Sequence, residues 1–514
     1  MKKALNYVVG LVIVAAGIGY FLFQPSSNLP SYIKYIPQEA TKVVSFDSKN
    51  VFKKVALESI FDLSFYQLIK DILKKEGISN KDEGPEELGF SLFSSYYFYT
   101  VEKTDTTQNF HGSIIPLDNA KKFSDFMVEK YSRRLIELEN FRFVQTTENS
   151  IVAWNDEIMM LVGGHKDPAR VLIKLADLNN SNNLIGQNES FQDFHQEDFE
   201  VGTWFNVEVL YRQNSTKAAI LGQLGVTPEK LRGSYLTSYL YFIDGAVDME
   251  LNFHFNEDMG KTLPGLFVSN NNQDLMKHMI LDQIPLIGRF SLDMGIGNKI
   301  IASNQGDYGL IGNMIISQGV PKMLSGDFSV SLNHVSMKEV KKYSFLTETY
   351  DTILEPNYEF LAGVTLKEKQ QFMELINNNM FVNFKDGYYD VGGGEIYMFI
   401  KEDKLYFTTS ARVKDEFLGS SINEIDAAMK AEKMQMRVNV EDMINKFSSG
   451  AIDYLGIQHT DIINEHLKTI DLQVNGLKDD TYKAKVKLNM KDQSQNSLYI
   501  ILGMYNETIE VPRF

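Results

Sequence analysis

The first long pattern in the chain is an apolar run from Ala4 to Phe23, interrupted only by Asn6 and preceded by Met1-Lys2-Lys3. As a helix rising about 1.5 Å per residue it is about 30 Å long, one bilayer core. Val8 to Val14 fits the h-region of a cleaved secretory signal, with Ala15-Ala16-Gly17 as the small residues for cleavage. The run continues through Ile18, Tyr20, Phe21, Leu22 and Phe23 and ends only at Gln24-Pro25. That continuation predicts a retained anchor over residues 1–28. Tyr20 and Phe21 suit an interface belt, and Lys2 and Lys3 place the N-terminus in the cytoplasm, so the bulk of the chain faces outward.

After residue 28 the pattern changes to alternating strands and short amphipathic helices, in an order that repeats. Ile36-Pro37 leads into Val43-Val44-Ser45-Phe46-Asp47, and Ile284-Pro285 into Arg289-Phe290-Ser291-Leu292-Asp293. Helical patterns are predicted next, over Val51 to Lys75 and over Asn298 to Gln318. In the middle, the strand at Ser113 to Leu117 runs into a helix at Asp118 to Met127. The strand at Ala362 to Leu366 runs into a helix at Lys367 to Ile376. Strands follow at Phe141 to Thr146, Ser150 to Trp154 and Glu157 to Val162, then at Met380 to Phe384, Tyr388 to Val391, Glu395 to Ile400 and Lys404 to Thr409. Asn155-Asp156 and Glu402-Asp403 are the turns. Both halves close on a hairpin signal, Asp244-Gly245 and Asn475-Gly476. The expected fold is α+β: two tandem related domains, 29–260 and 261–514, each an antiparallel sheet with helices packed on one face. Their boundary falls within Asn256 to Ile280, a range that includes the loop-like Asn270-Asn271-Asn272-Gln273.

Composition narrows the class. With 514 residues the chain exceeds one ordinary core, so two domains are expected. A formal net charge of −16 argues against nonspecific binding to nucleic acid or to an anionic membrane surface. The absence of cysteine removes disulfides, thiolate metal sites, cysteine nucleophiles and a lipid-bearing residue. The 34 Phe and 25 Tyr, many in strand-like runs, favour sheet.

Candidate chemistry is sparse. None of the eight histidines forms a metal-ligand spacing. His459 and His466 lie seven apart, two turns on one helical face, and read as unrelated surface residues. His195, within Asp193-Phe194-His195-Gln196-Glu197-Asp198, reads as part of a solvated acidic loop. Gly392-Gly393-Gly394 lacks the Lys-Ser/Thr of a phosphate loop and sits between two strands, as a hairpin or bulge would. No catalytic residue, cofactor site or metal site is assigned. Trp154 and Trp204 read as sheet-core residues. The runs containing Tyr96, Tyr97 and Tyr99, and Tyr239 and Tyr241, carry aromatic groups on both strand faces. Either both faces are covered, or these rings and Trp204 form an interaction surface.

Tyr35-Ile36-Pro37-Gln38-Glu39-Ala40 followed by Val43 to Asp47 resembles envelope proteins of Bacteroidota in domain-of-unknown-function family 4836. So do Gly89-Phe90-Ser91 before an aromatic strand and Gly112 to Leu117 before a helix. Members resembling this chain are lipoproteins or secreted proteins, and the missing cysteine sets this chain apart. The resemblance implies location and fold and brings no catalytic residues. The leading expectation is a non-enzymatic binding or scaffold protein. It is held in the inner membrane by Ala4 to Phe23, with its bulk in the periplasm and an envelope protein as partner. The alternatives are a carrier or sensor of an apolar ligand such as lipid, and a hydrolase with dispersed carboxylates.

Overall fold

The computed structural model describes residues 30–54, 88–176 (apart from 92, 104, 132–134 and 139), 185, 188–213, 226–262, 275–276, 279, 284–295, 319–344, 349–419 (apart from 380, 381 and 395), 434–454 and 459–510 (apart from 479). The expected anchor at 4–23, the helix expected at 51–75 from residue 55 onward, the helix expected at 298–318, and the loop at 270–272 lie outside these residues. Among the described residues, no helix is long and apolar enough to cross a membrane. The described residues divide into two compact units. The first holds residues 30–206 and 237–241, and the second the remainder.

In the first unit the strands are β1 (Lys42–Asp47), β2 (Ser95–Val101), β3 (Phe110–Pro116), β4 (Ile136–Leu138), β5 (Phe141–Thr147), β6 (Ser150–Trp154), β7 (Ile158–Gly163) and β8 (Val201–Asn206). Their order is β8–β1–β2–β3–β7–β6–β5–β4, antiparallel throughout. The central part of β9 (Tyr235–Ile243) lies beside β8, where the Glu200 N–H donates to the Leu240 carbonyl at 3.3 Å. The helices are α1 (Ser48–Lys54), α2 (Ala120–Tyr131), α3 (Pro168–Ala176) and α4 (Glu189–Phe194). The Asn119 side chain accepts from the Lys122 N–H at the start of α2. One turn apart, Phe123 and Met127 then bury against Leu117, Val152, Trp154 and Leu161. Each such side chain contributes about 2–3 kcal/mol of burial.

The second unit holds β10 (Ala246–His254), β11 (Leu286–Ser291), β12 (Leu324–Ser344), β13 (Thr349–Leu366), β14 (Val382–Lys385), β15 (Tyr388–Val391), β16 (Ile396–Lys401), β17 (Lys404–Thr408), β18 (Met434–Asn439), β19 (Leu467–Lys478) and β20 (Thr481–Met490). They pair antiparallel in the order β10–β20–β19–β18–β11–β12–β13–β17–β16–β15–β14. Its helices are α5 (Val207–Gln213), α6 (Glu257–Thr262), α7 (Lys369–Asn377), α8 (Ala411–Gly419), α9 (Val440–Lys446), α10 (Ser449–Tyr454), α11 (Thr460–His466) and α12 (Ser497–Glu510).

The α+β class and the antiparallel sheets agree with the sequence, but the helices do not keep to one face. In the second unit α7 packs Phe372 and Ile376 on Val364, Met398 and Leu405. In contrast, α8 packs Val413 and Phe417 on Leu361, Phe399 and Tyr406. Alternate strand residues point to opposite faces, so these are two layers on two sides. In the first unit every position of β6 and β7 is buried, which also requires cover on both faces. An unbroken Ile-Met-Met-Leu-Val run is the sequence form of such a strand.

Turn positions hold in part. Asp244-Gly245 separates β9 from β10, with Gly245 at φ +68°. Asn475-Gly476 instead falls inside β19, at a register shift between Val474 and Leu477, and Asp480 at φ +57° sits in the actual turn. An Asn-Gly pair serves a β-bulge as readily as a hairpin. Asp47 ends β1, whereas β11 ends at Ser291, two residues before Asp293. The repeat boundary expected near 260 follows element order. The division into compact units follows the β10–β20 ladder instead, nine rungs long, which draws β10 into the second unit.

Candidate functional site

One register row crosses nine strands of the second unit: Phe399, Tyr406, Gly363, Ser329, Arg289, Gln435, Gln473, Lys485 and Glu250. Opposed residues in an antiparallel ladder share a face. At its β16–β17 end this face is apolar and covered. Phe399 meets Phe417 of α8 at 4.4 Å between ring centroids, and the Tyr406 hydroxyl donates to the Leu275 carbonyl at 2.8 Å. At its β10 end the same face is charged and open, and it floors a trough of about 530 Å³.

Two adjacent rows build that floor. Asp248, Lys487, Asp471 and Arg437 lie opposite one another on β10, β20, β19 and β18, and Glu250, Lys485, Gln473 and Gln435 form the next row. Acid and base alternate across the strands. Arg437 Nε donates to Asp471 Oδ1 at 2.6 Å, and Asn489 Nδ2 donates to Asp471 Oδ2 at 2.7 Å and to Thr469 Oγ1 at 2.9 Å. Lys485 Nζ sits 2.6 Å from Glu250 Oε1, and Lys487 Nζ sits 3.9 Å from Asp248 Oδ1. Arg437 and Asp471 are only 27% and 18% exposed, so their charge-assisted bond counts for more than the outer pairs. The intervening Met249, Val486, Leu472 and Met436 fall at alternate positions, yet they too line the trough, so its lining is apolar as well as charged. Each of the floor carboxylates stands beside a cation.

A second cleft, about 820 Å³, lies in the first unit among α2, the β4–β5 turn and the β6–β7 turn. Arg142 reaches across it, donating from Nη1 to Ser124 Oγ at 2.8 Å and standing 3.4 Å from Glu137. The Asn155 side chain shapes one wall by accepting from the N–H groups of Glu157 and Ile158, an Asx turn.

The aromatic residues singled out in the sequence take the covered alternative. Tyr96, Tyr97, Tyr99, Trp204 and Tyr239 are all buried, and Tyr241 is half-buried. Burial pushes the Tyr96, Tyr97 and Tyr99 hydroxyls well above the usual phenol range. Trp204 Nε1 donates to Ser190 Oγ at 3.1 Å, and Tyr239 stacks on Phe194 with centroids 5.7 Å apart. Tyr99 fills the space over Gly112, where a Cβ would lie 2.3 Å from the ring. Trp154 is buried and meets Phe123 edge-on.

His195 corrects the sequence reading. It caps the end of α4, and its ring lies 5.0 Å from Phe191 and Phe194 and 5.5 Å from Tyr97. Burial pushes its pKa down to about 4, so this half-buried ring sits neutral against the aromatic cluster rather than in a solvated loop. His459 and His466 do not share a helical face, because His459 precedes α11 with φ +54°. The three glycines 392–394 form the turn between β15 and β16, all at positive φ. There the Gly394 N–H donates to Asp390 Oδ1 at 2.6 Å. Among the described residues no group of three His, Asp or Glu side chains could hold a metal ion.

The trough escaped sequence reading, although one signal was present. Lys483, Lys485 and Lys487 alternate on β20, and Asp248 and Glu250 alternate on β10.

Comparison with family models and with curated proteins finds no match. Solved structures that match include three crystal forms of TP0453. Form IV is 10% identical, covers 42% of this chain and 80% of that one, and has a TM-score of 0.24. Form I is 10% identical over 44% and 79%, with a TM-score of 0.25. Form III is 9% identical over 44% and 80%, with a TM-score of 0.26. Scores this low carry no argument about fold or function.

Proposed function

We propose that this chain is a membrane-anchored, non-enzymatic binding or scaffold protein of a cell envelope, with two related α+β domains facing the periplasm. The observation that carries the binding role is the open half of the second sheet. A face that is apolar and helix-covered over β16 and β17 carries ion pairs and lines a trough over β10 and β18–β20. Paired charges fix register and reject wrong partners more than they add affinity, which is the work of a scaffold surface.

The reading as two related domains draws support from strand order. The order β8–β1–β2–β3–β7–β6–β5–β4 has the same sequence of elements as β18–β11–β12–β13–β17–β16–β15–β14. Phe46 opposite Tyr96 has its counterpart in Phe290 opposite Phe328. The anchor and the periplasmic location rest on the apolar run at 4–23 and on the lysines before it. The test is affinity isolation of the full chain from detergent-solubilised membranes. Specific recovery of an envelope protein supports the reading, and recovery of none overturns it.

A further inference from the structure

The cleft of the first unit has a neutral floor and a charged rim. Tyr35, Phe141, Trp154 and Ser124 line it and are buried, and Tyr35 meets Phe141 edge-on with ring centroids 5.3 Å apart. The Trp154 indole N–H is buried with no acceptor among the described residues, a costly state that an oxygen atom of a ligand would relieve. At the rim, Lys121, Arg142, Asp125, Glu137, Asp156 and Glu157 are exposed, and Lys34 is half-buried. Three cations stand among four carboxylates, so an ion of either sign meets like charge as well as opposite charge. Exposed charges are also screened by water and salt, which leaves little selection by charge.

The matching turn of the second unit uses its acids differently. The Leu117 N–H donates to the Glu157 carbonyl at 2.8 Å, as the Leu366 N–H does to the Asp403 carbonyl at 2.8 Å. Pro116 stands opposite Ile158, and Thr365 stands opposite Lys404. Asp156-Glu157-Ile158 therefore corresponds to Glu402-Asp403-Lys404. Lys404 is 3% exposed, and its Nζ lies 2.8 Å from Asp403 Oδ1 and 3.3 Å from Glu402 Oε2. Ile158 offers no such cation, so Asp156 and Glu157 keep their carboxylates for the cleft.

We infer that this cleft binds an uncharged saccharide. Its volume of about 820 Å³ is in the range of small-ligand sites. A pyranose ring has apolar C–H faces and a rim of hydroxyls that both donate and accept. The aromatic floor suits the C–H surface, and the indole N–H donates to a hydroxyl oxygen. Arg142 commits Nη1 to Ser124 and Nε to Glu137, which leaves Nη2 to donate to the ligand. The rim carboxylates accept from the remaining hydroxyls. Such binding is separate from the trough and needs no membrane anchor.

The chain holds two tryptophans, Trp154 and Trp204, so Trp204→Phe leaves Trp154 as the single indole reporter in the cleft. The full chain with this change is titrated with maltose, cellobiose and diacetylchitobiose in a detergent whose headgroup carries no sugar. Inorganic phosphate and diglycine serve as the anionic and zwitterionic comparisons. Saturation-transfer NMR on the chain without the Trp204 change gives a second reading that does not depend on that variant folding. At least one disaccharide should give a saturable response, and Arg142→Ala should weaken it about tenfold or more. No saturable response to any of the three disaccharides overturns the proposal. So does a response that Arg142→Ala leaves unchanged, since the sugar then sits elsewhere. Saturable binding of phosphate or diglycine in place of the disaccharides overturns it as well.

Discussion

The two units solve the placing of polar groups in opposite ways. Over β1, β2 and β8 of the first unit, α4 lays Phe191, Phe194 and His195 on Tyr97 and Trp204, and the His195 imidazole is neutral. Over β18–β20 of the second unit, Asp471 with Arg437 and Lys485 with Glu250 form ion pairs along a trough. Water that cannot reach a group forces it to give up its charge, and water that can reach it leaves the charge to be paired. The aromatic layer is therefore structure, and the trough is the surface on which the proposed binding rests.

Breaking the aromatic layer should cost most. Phe194 stacks on Phe199 and Tyr239 and is fully buried, so Phe194→Ala should lower unfolding free energy by about 3–5 kcal/mol, read by urea denaturation.

The next effect is a pH dependence. His195 titrates at about 4 when folded and at 6.5 in its unperturbed state, so below pH 6.5 the unfolded chain binds the proton that the folded one refuses. Stability from this residue is full above 6.5, falls as the pH drops toward 4, and levels off below that. A shift of this size corresponds to about 3 kcal/mol. Unfolding curves across that range check it, and His195→Phe should remove this component of the slope.

Smaller effects belong to the trough. Asp471→Ala strips Arg437 and Asn489 of their shared acceptor in a partly buried place and should cost about 2 kcal/mol. Asp471→Asn, which keeps an acceptor, should cost less. Glu250→Ala removes an outer pair and should cost under about 0.5 kcal/mol, shrinking further in salt. Equal costs for Asp471→Ala and Glu250→Ala would remove the distinction between an inner and an outer pair.

Local pattern made much of the fold legible. The short strands from Phe141 onward, the helices starting near residues 120 and 369, and the Asp244-Gly245 turn follow from alternation, helical spacing and turn chemistry. Cover on both faces was less legible, because β2 and β9 mix Tyr, Phe, Ser and Thr, so that alternation alone does not say which face is dry. His195 misled because its neighbours Asp193, Glu197 and Asp198 are exposed acids, while Phe191 and Phe194 turn the helix face that carries it inward. The trough needed a long-range fact. Lys485 and Lys487 on β20 meet Glu250 and Asp248 more than two hundred residues earlier, and nothing local announces that pairing.

The most direct test of the trough as the binding surface compares the full chain with a Lys485→Glu/Lys487→Glu variant. Both are isolated from detergent-solubilised membranes, and the co-purifying proteins are quantified. Both chains should fold equally by circular dichroism, and the reversal should cut recovery of the partner by about tenfold or more. Equal recovery by the two chains would contradict the assignment of binding to this face.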